Sequence, residues 1–551
     1  MNGADIVAAA LKAEGVEIIP SFPFHEVIES ASKIGIRPII VRQERQALHI
    51  ADGYARVTGG RKVAATAVQS GPGAENAFGG VAQCYGDNVP VVHLAEGYSY
   101  AEQWLDPNFS SLVALQSISK HCTFVPTAER LPLAVSNAFS QVRNGKPGPV
   151  VLEMPEDILA NPAPTDLLED YPVSQRLVTF PDPTMVSQIA KLLQGANNPV
   201  IVAGQGVLYS GASEALVQLA EKLTIPVLST LNGKSAFPEE HPLYLGCGGQ
   251  SQSDAIIEFL KTADVICGIG TSFTESSYIT PYPRKGRTYI QVTNCEADIS
   301  KGYPIKWPLI SDARAAILAI TELVSPAGSA RESVIPKIAN LQEEFQSKWQ
   351  PLLTSDETPI TPYRVISELM NTIDREKSVV THDAGAPRDQ ITPFYRSLIP
   401  HGYMGWGKTT QLGLGLGLVQ GAKLARPDFT CVNIMGDAAI GMVGMDFETS
   451  VREKIPTTTI MLNNGIMGLY SSKLPEASKE YEVNHLGGNY TDLAKSLGGH
   501  AERVVDPVEI SSALKRAFQK NEEGEAALVE VITREETRIP YHPDRDLLRK
   551  S

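Results

Sequence analysis

Cysteine is scarce in this chain and never closely paired. Its six residues, Cys84, Cys122, Cys247, Cys267, Cys295 and Cys431, are scattered without a C-x-x-C pair, which argues against a zinc or disulfide framework and for reduced, buried thiols. Positive charge is in deficit: 48 Lys and Arg stand against 62 Asp and Glu, a net −14. With no basic excess to meet a phosphate backbone, nucleic-acid binding is not expected. A small anionic substrate remains compatible, because a local site can be positive on a negative protein. Long apolar runs are missing too. The nearest, LGLGLGLVQGAKLA, is glycine-rich and too short to span a bilayer. The first residues, MNGADIVAAALKAEGV, have the pattern of an amphipathic helix and lack the basic start and cleavage site of a secretory leader. A soluble, cytoplasmic protein is expected.

What is present is ordinary globular material in quantity. At 551 residues, 43% hydrophobic and 20% charged, the chain exceeds what one core supports and is expected to form about three domains. Short β-branched runs such as RPIIV, KVAATAV, VPVVHLAE and GPVVLEMP alternate with helical periods, the signature of doubly wound parallel α/β domains. Two stretches break the rhythm. Asn161 to Pro183 is proline-rich and acidic and reads as a linker. Ser325 to Pro362 holds a polar helix, IPKIANLQEEFQSKWQPLL, and a Pro/Thr-rich exit. Three α/β units follow, at 1–160, 184–324 and 360–540.

The segment 429–464 carries the most chemistry. FTCVNIM reads as a buried strand, Gly436-Asp437-Ala438-Ala439 as a tight turn of small residues, MVGMDFETSVREK as a helix and TTTIMLNN as the next strand. In such a βαβ unit the two strands are parallel, so Asp437 and Asn464 share the carboxyl edge of the sheet, where open α/β sheets bind ligands. A carboxylate and an amide oxygen there suit Mg²⁺, which completes its shell with phosphate and water. The small residues let phosphate approach the N–H groups of the helix start, and the Ile466 carbonyl is a candidate third ligand. The plainer alternative is a helix cap at Asp437 and a turn at Asn464.

GDAAIGMVGMDFETSVREKIPTTTIMLNNG resembles the cofactor motif of the thiamine-diphosphate enzymes that include acetohydroxyacid synthase, pyruvate oxidase, benzaldehyde lyase and oxalyl-CoA decarboxylase. The likeness covers essentially the whole chain and implies pyrimidine-binding, middle and diphosphate-binding domains. Asp383, Ala384, Gly385, Ala386, Gly436, Ala438, Ala439 and Met467 would line the diphosphate. In KTTQLGLGLGLVQGAKLA, Leu412 would prop the cofactor into its bent shape and the Thr410 carbonyl would face its 4′-amino group. RQERQALHIADGYARVTGG is similar to the segment that carries the family's glutamate. Glu44 would hydrogen-bond N1′ of the pyrimidine and favour the imino tautomer, whose 4′-nitrogen takes the C2 proton. By itself, a glutamate after a strand reads as a helix-start residue favoured by the dipole. Ser70, Gly71 and Pro72 match the family's SGPG loop, and Asn76 is a pyrimidine-side contact. Gln103 and His25 would face the reacting carbon. The likeness also implies that Glu44 and Asp437 serve one cofactor from different chains, so a homodimer is the minimum and a homotetramer is expected.

The sub-family is less plain. The acetolactate synthases have a tryptophan where Lys473 falls. Their FAD-binding middle domain carries two arginines after a Gly-Ala turn, where this chain has Gly270-Thr271-Ser272-Phe273-Thr274-Glu275. VAGQGVLYSGA keeps a glycine-rich turn, but Thr293 stands at the strand end where an acid often meets a ribose. FAD or ADP is therefore not expected. GMDFET resembles a run of oxalyl-CoA decarboxylase and 2-hydroxyacyl-CoA lyases. The leading expectation is decarboxylation of a 2-oxo acid with transfer of the acyl carbanion to a second carbonyl. The alternatives are a lyase acting on an acyloin or 2-hydroxyacyl-CoA, and a catalytically silent regulatory homologue. Intact Glu44, Asp437 and Asn464 count against the last. Tyr470 and the terminal RIPYHPDRDLL are candidates to close over the site.

Overall fold

The computed structural model describes residues 1–468 and 470–549, without the side chains of Ala330, Tyr470 and Ser471. They form three six-stranded sheets, and every strand pairing recorded in them is parallel. The first sheet uses β1 (Ile18–Ser21), β2 (Arg37–Ile40), β3 (Ala65–Val68), β4 (Val92–Gly97), β5 (His121–Phe124) and β6 (Val150–Pro155), in the order 2-1-3-4-6-5. The second uses β7 (Pro199–Ala203), β8 (Val227–Ser229), β9 (Tyr244–Cys247), β10 (Val265–Ile269), β11 (Thr288–Thr293) and β12 (Ile305–Ile310), in the order 12-11-10-7-8-9. The third uses β13 (Ser378–His382), β14 (Tyr403–Met404), β15 (Thr430–Gly436), β16 (Thr458–Asn463), β17 (His500–Val504) and β18 (Ala527–Ile532), in the order 14-13-15-16-18-17.

The outer sheets therefore share one topology, and the central sheet has the order of a dinucleotide-binding fold read from its other edge. Each sheet has a reversal of order near its middle: between β1 and β3, between β7 and β10, and between β13 and β15. A crevice opens at such a reversal beyond the carboxyl ends of the strands, so three candidate ligand positions follow from topology alone.

The inner strands are buried because helices cover both faces, while the edge strands β2, β5, β12 and β17 are partly exposed. Helix α1 (Gly3–Ala13) turns Ile6, Val7, Ala10 and Leu11 into the first core. Helix α2 (Glu26–Lys33) follows β1, α3 (Glu44–Val57) follows β2 and α4 (Pro72–Gly86) follows β3. The linker 161–183 holds a single short helical turn, Thr165–Leu168, and the polar helix runs Val334–Leu353. Among the described residues, no helix is long and apolar enough to cross a membrane, and all six cysteines are free.

The first and third units meet through α3 and the glycine-rich helix Leu414–Ala425. A Cβ on Gly53 would fall on the Leu418 carbonyl, and one on Gly421 would fall on the Ile50 carbonyl. The two backbones thus lie closer than any side chain permits. Gly421→Ala is expected to force them apart at a cost of about 3 kcal/mol, read as a lower thermal midpoint. An unchanged midpoint would show that the contact is not tight. Asp87, fully buried, ties all three units: it accepts from Gly407 N–H (3.0 Å), Lys408 N–H (3.0 Å) and Asn232 Nδ2 (3.1 Å).

One expected element differs. The helical period after Asp437 is not one helix but two, Asp437–Val443 and Phe447–Arg452, with a tight turn at Gly444–Asp446. Asp446 accounts for the break, because its carboxylate leaves the helix to accept Arg42 N–H (2.8 Å) and Thr449 Oγ1–H (2.9 Å).

Candidate active site

The crevice of the third sheet gathers the residues singled out between 383 and 467. Gly436 pairs with Leu462 across β15 and β16, so Asp437 and Asn464 emerge side by side at the carboxyl edge. Asp437 is 3% exposed, and its oxygens accept the N–H groups of Ala438 (2.8 Å) and Gly465 (2.8 Å). Burial pushes its carboxyl above the usual range against those hydrogen bonds. Among the described residues, no lysine or arginine forms an ion pair with it. A buried carboxylate without a cation is costly, and that cost is what a divalent ion in the crevice would relieve.

Asn463 and Asn464 divide their work. Asn463 is committed to the fold, donating to Glu530 (2.8 Å) and accepting from Gly465 N–H (3.0 Å). Asn464 Oδ1 accepts the Ile466 N–H (3.1 Å). Ile466 bridges to His485, and the N–H of the partly exposed Met467 donates to the Asn484 carbonyl (2.7 Å). Opposite, after β13, Gly385 caps the helix Ala386–Ile391 at φ +83°, a left-handed conformation that glycine adopts without strain. Around this crevice the walls are small. A Cβ on Gly436 would meet only Pro387 at 3.8 Å, and one on Gly468 only Ala386 at 3.9 Å. Ala438 is half-buried and Ala439 buried. The room, the backbone N–H groups and the unpaired acid fit a diphosphate with Mg²⁺.

Asp383 is buried, and its role lies in the framework. It accepts the N–H groups of Ala384 (2.8 Å), Gly413 (2.9 Å) and Gly415 (2.8 Å), and burial raises its carboxyl to about 6. It thereby fixes the turn that carries Leu412. Leu412 is half-buried against Ala384, Trp406 and Leu418 on one side and the Met435–Ile440 cluster on the other, while Thr410 is exposed. From α3, Gln46 Nε2 donates to the Gly413 carbonyl (3.0 Å), and His49 Nε2 lies 2.8 Å from Gln411 Oε1. Gln46 and His49 were not singled out from the sequence, since some 360 positions separate them from their partners.

The crevice of the first sheet gathers the others. Glu44, the first residue of α3, is 5% exposed. Among the described residues, its carboxylate makes no hydrogen bond or ion pair. His25 caps α2: Nδ1 accepts Val27 N–H (3.2 Å), which leaves the proton on Nε2. Nε2 is buried without a partner, and burial holds the ring neutral, with its pKa pushed down to about 4. Ser70 N–H reaches Glu96 (3.3 Å), and Gly71, at φ +61°, caps α4. Pro72 and Asn76 lie on the exposed side of α4. Gln103 is 1% exposed, with Nε2 on Glu153 (2.7 Å) and Oε1 unpartnered.

Two expectations are relocated. The GMDFET run joins domains, because Asp446 holds Arg42 as described and Glu448 pairs with the Arg42 side chain (3.0 Å). The terminal segment lies on the central unit, where buried Arg545 donates to the carbonyls of Gly249 (3.2 Å), Ser277 (3.1 Å) and Ile279 (2.8 Å). The Tyr470 side chain lies outside the described residues.

The central sheet holds a cavity of about 140 Å³ at its reversal, lined among others by Gln205, Gly206, Gly270, Thr293, Lys146 and Lys408. Its glycines pack loop on loop: a Cβ on Gly204 or Gly206 would strike the Gly270 main chain. That close approach explains them without a bound pyrophosphate.

Three α/β units of this topology, with an acid and an amide at one reversal and a buried glutamate beside another, define a cofactor-dependent enzyme that uses a diphosphate. Residues 1–114 match the family described as "Thiamine pyrophosphate enzyme, N-terminal TPP binding domain", residues 186–320 its central domain and residues 383–531 its C-terminal TPP binding domain. The chain is 30% identical to a probable acetolactate synthase large subunit of Methanocaldococcus jannaschii, over 95% of this chain and 90% of the relative. It is 30% identical to the acetolactate synthase large subunit of Haemophilus influenzae, over 94% and 92%. Identity is 27% to acetolactate synthase isozyme 3 large subunit of Escherichia coli (strain K12), over 96% and 94%. The chain belongs to the thiamine pyrophosphate enzymes, as an acetolactate-synthase-like member.

Proposed function

We propose that this chain is a thiamine-diphosphate- and Mg²⁺-dependent carboligase that decarboxylates a 2-oxo acid and passes the acyl unit to a second carbonyl compound. The observation that carries this is the buried Asp437 at the sheet reversal, which among the described residues pairs with no lysine or arginine, in a chain whose relatives are acetolactate synthase large subunits. In this reading the units 1–160, 184–324 and 360–540 act as pyrimidine-binding, central and diphosphate-binding domains. Asp437, Asn464 and the Ile466 carbonyl hold the metal. Gly385, Ala386, Gly436, Ala438, Ala439 and Met467 line the diphosphate.

When bound, thiamine diphosphate supplies the electron sink for the carbon–carbon bond that is broken or made. The protein supplies the rest. Leu412 and the Thr410 carbonyl position the pyrimidine from one chain. Glu44, with Ser70, Gly71, Pro72 and Asn76, meets it from the partner and holds a proton at N1′. His25 Nε2–H and Gln103 face the reacting carbon. A dimer, paired into a tetramer, is supported by apolar side chains left in solvent on both halves: Phe78 and Tyr85 on α4, Met442 and Met445 beyond Asp437. A cytoplasmic setting suits the six free thiols. FAD or ADP is not part of this function, given Thr293 at the strand end.

The cleavage direction drew on GMDFET and His25; the acids of GMDFET are engaged by Arg42, while His25 keeps its Nε2 unpartnered. Pyruvate with thiamine diphosphate and Mg²⁺ should give CO₂ and an acyloin product, followed by coupled assay and mass spectrometry. Inert pyruvate, together with cleavage of benzoin or a 2-hydroxyacyl-CoA, would overturn the synthetic direction.

A further inference from the structure

Glu530 is a charge inside an apolar strand, and none of these roles uses it. β18 reads ALVEVI, and Glu530 within it is 0% exposed. A buried carboxylate is costly unless hydrogen-bond donors meet it, and here they meet both oxygens. Oε1 accepts from Asn463 Nδ2 (2.8 Å) and Arg503 Nη2 (3.2 Å). Oε2 accepts from Thr491 N–H (3.0 Å), the Thr491 hydroxyl and Arg503 Nε (3.0 Å). Arg503 also donates to Asn489 Oδ1 (2.9 Å).

These contacts grip the segment 464–467 from both ends. Upstream, Asn463 closes β16. With its Nδ2 held by Glu530, its Oδ1 faces the Gly465 N–H (3.0 Å), which also reaches Asp437 Oδ2 (2.8 Å). Downstream, Asn489 caps the helix Tyr490–Ser496, which contains Thr491. The chain just before that helix runs back along the segment. Met467 N–H donates to the Asn484 carbonyl (2.7 Å), Leu486 N–H donates to the Gly465 carbonyl (2.8 Å), and Ile466 bridges to His485. One carboxylate therefore anchors both borders of the loop that carries the Asn464 amide and the Ile466 carbonyl.

We propose that Glu530, held by Arg503, is a positioning residue for the metal-binding loop. It fixes where the Asn464 amide oxygen and the Ile466 carbonyl stand relative to Asp437, and thereby sets the preference of the site for Mg²⁺ over larger divalent cations. The inference rests on the reading that this crevice holds Mg²⁺ with thiamine diphosphate, and deepens it by naming what tunes the metal. Mg²⁺ requires a near-octahedral shell at about 2.1 Å, whereas Ca²⁺ accepts longer and less regular contacts. A loop freed to shift therefore loses Mg²⁺ first. Groups that orient metal ligands act in this way in general, and removing one costs about ten- to a hundredfold in metal affinity.

A role confined to the sheet would account for only part of this network. Arg503 lies directly opposite Glu530 across β17 and β18, so that pair serves the sheet by itself. On the other side the residue opposite Glu530 is Met461, and Asn463 lies opposite Ile532. The Glu530 side chain thus reaches past its own neighbour, toward the carboxyl edge, to hold the residue at the mouth of the crevice. If Glu530 served the sheet alone, its loss would weaken the fold and every bound ion alike.

The test titrates the full-length protein with Mg²⁺ and, separately, with Ca²⁺, in the presence of thiamine diphosphate and without an acyl donor. Calorimetry then reads binding apart from turnover. In Glu530→Gln, which keeps the shape of the side chain but not its charge, Mg²⁺ affinity should fall about tenfold or more, and Ca²⁺ affinity much less. Asn463→Ala cuts the same path at its loop end and leaves Glu530 with Arg503 and Thr491. It should shift the ratio of the two affinities in the same direction, and the double variant should shift it no further than the stronger single one. Should Glu530→Gln fail to fold, Asn463→Ala decides alone. Equal loss of both ions, or unchanged Mg²⁺ affinity, would overturn the proposal. Wild-type protein that takes up no metal with thiamine diphosphate would instead remove the metal site itself, and the proposal with it.

Discussion

Glu44→Gln is expected to cut turnover by roughly a thousandfold while the protein still takes up thiamine diphosphate and Mg²⁺. Glutamine keeps the size of the side chain and an oxygen at its end, so packing at the start of α3 should survive. What it loses is the ability to hold and release a proton at N1′. The native residue is 5% exposed and, among the described residues, its carboxylate has no partner of its own, which leaves it free to meet a group that another molecule supplies. Exchange of the cofactor's C2 proton, followed by quenched-flow NMR, separates this from a binding defect. Slow exchange with unchanged cofactor affinity is the expected pair of results. Wild-type exchange in the variant would show that Glu44 carries no proton.

Asp437→Asn is expected to act in opposite directions on the two states of the enzyme. With cofactor, affinity for Mg²⁺ and thiamine diphosphate should fall by at least about a hundredfold, since loss of groups that merely support a metal ligand costs up to that much. Without cofactor the variant should be the more stable at neutral pH. Burial raises the Asp437 carboxyl above its ordinary 3.8. A group whose folded pKa is raised contributes stability below the unfolded pKa and loses it as pH climbs through the folded one. The wild-type apoprotein should therefore lose stability above about pH 4 through this residue, and the asparagine variant should not. Melting curves across that range, with and without cofactor, read both effects. A variant less stable in both states would mean that Asp437 is chiefly structural.

Much of this site could be read from the chain because its parts are local. The unit from Phe429 to Asn464 compresses two strands, a turn and both metal-binding candidates into one continuous stretch, and parallel pairing then brings Asp437 beside Asn464 without further information. Glu44 was legible only through likeness to relatives, since a glutamate after RPIIV looks like any helix start. What escaped is long-range or concerns partners. Nothing near Asp383 in sequence announces that its oxygens will bind Gly413 and Gly415. Nothing near Gln46 and His49 points to the turn carrying Leu412. The unbroken helical period after Asp437 misled because Asp446 finds its partner at Arg42, on another domain. Glu96 had a visible signal that went unused: an acid ending the apolar run VPVVHLAE, where burial of the strand makes a charge expensive.

In the proposed dimer the geometry of α3 has a particular consequence. Its first residue is Glu44, and its next turns hold Gln411 and Gly413 of the same chain. If Glu44 serves the partner's cofactor, one rigid helix touches two sites at once, so a shift at one is transmitted to the Leu412 turn of the other.

Hybrid dimers test the shared site most directly. Chains bearing Glu44→Gln and chains bearing Asp437→Asn, each inactive alone, can be co-expressed with different tags and purified as mixed pairs. In a mixed pair the intact Glu44 of one chain meets the intact Asp437 of the other at one of two sites, and about half of wild-type activity should return. Mixed pairs no more active than their parents would contradict a cofactor held between the two chains.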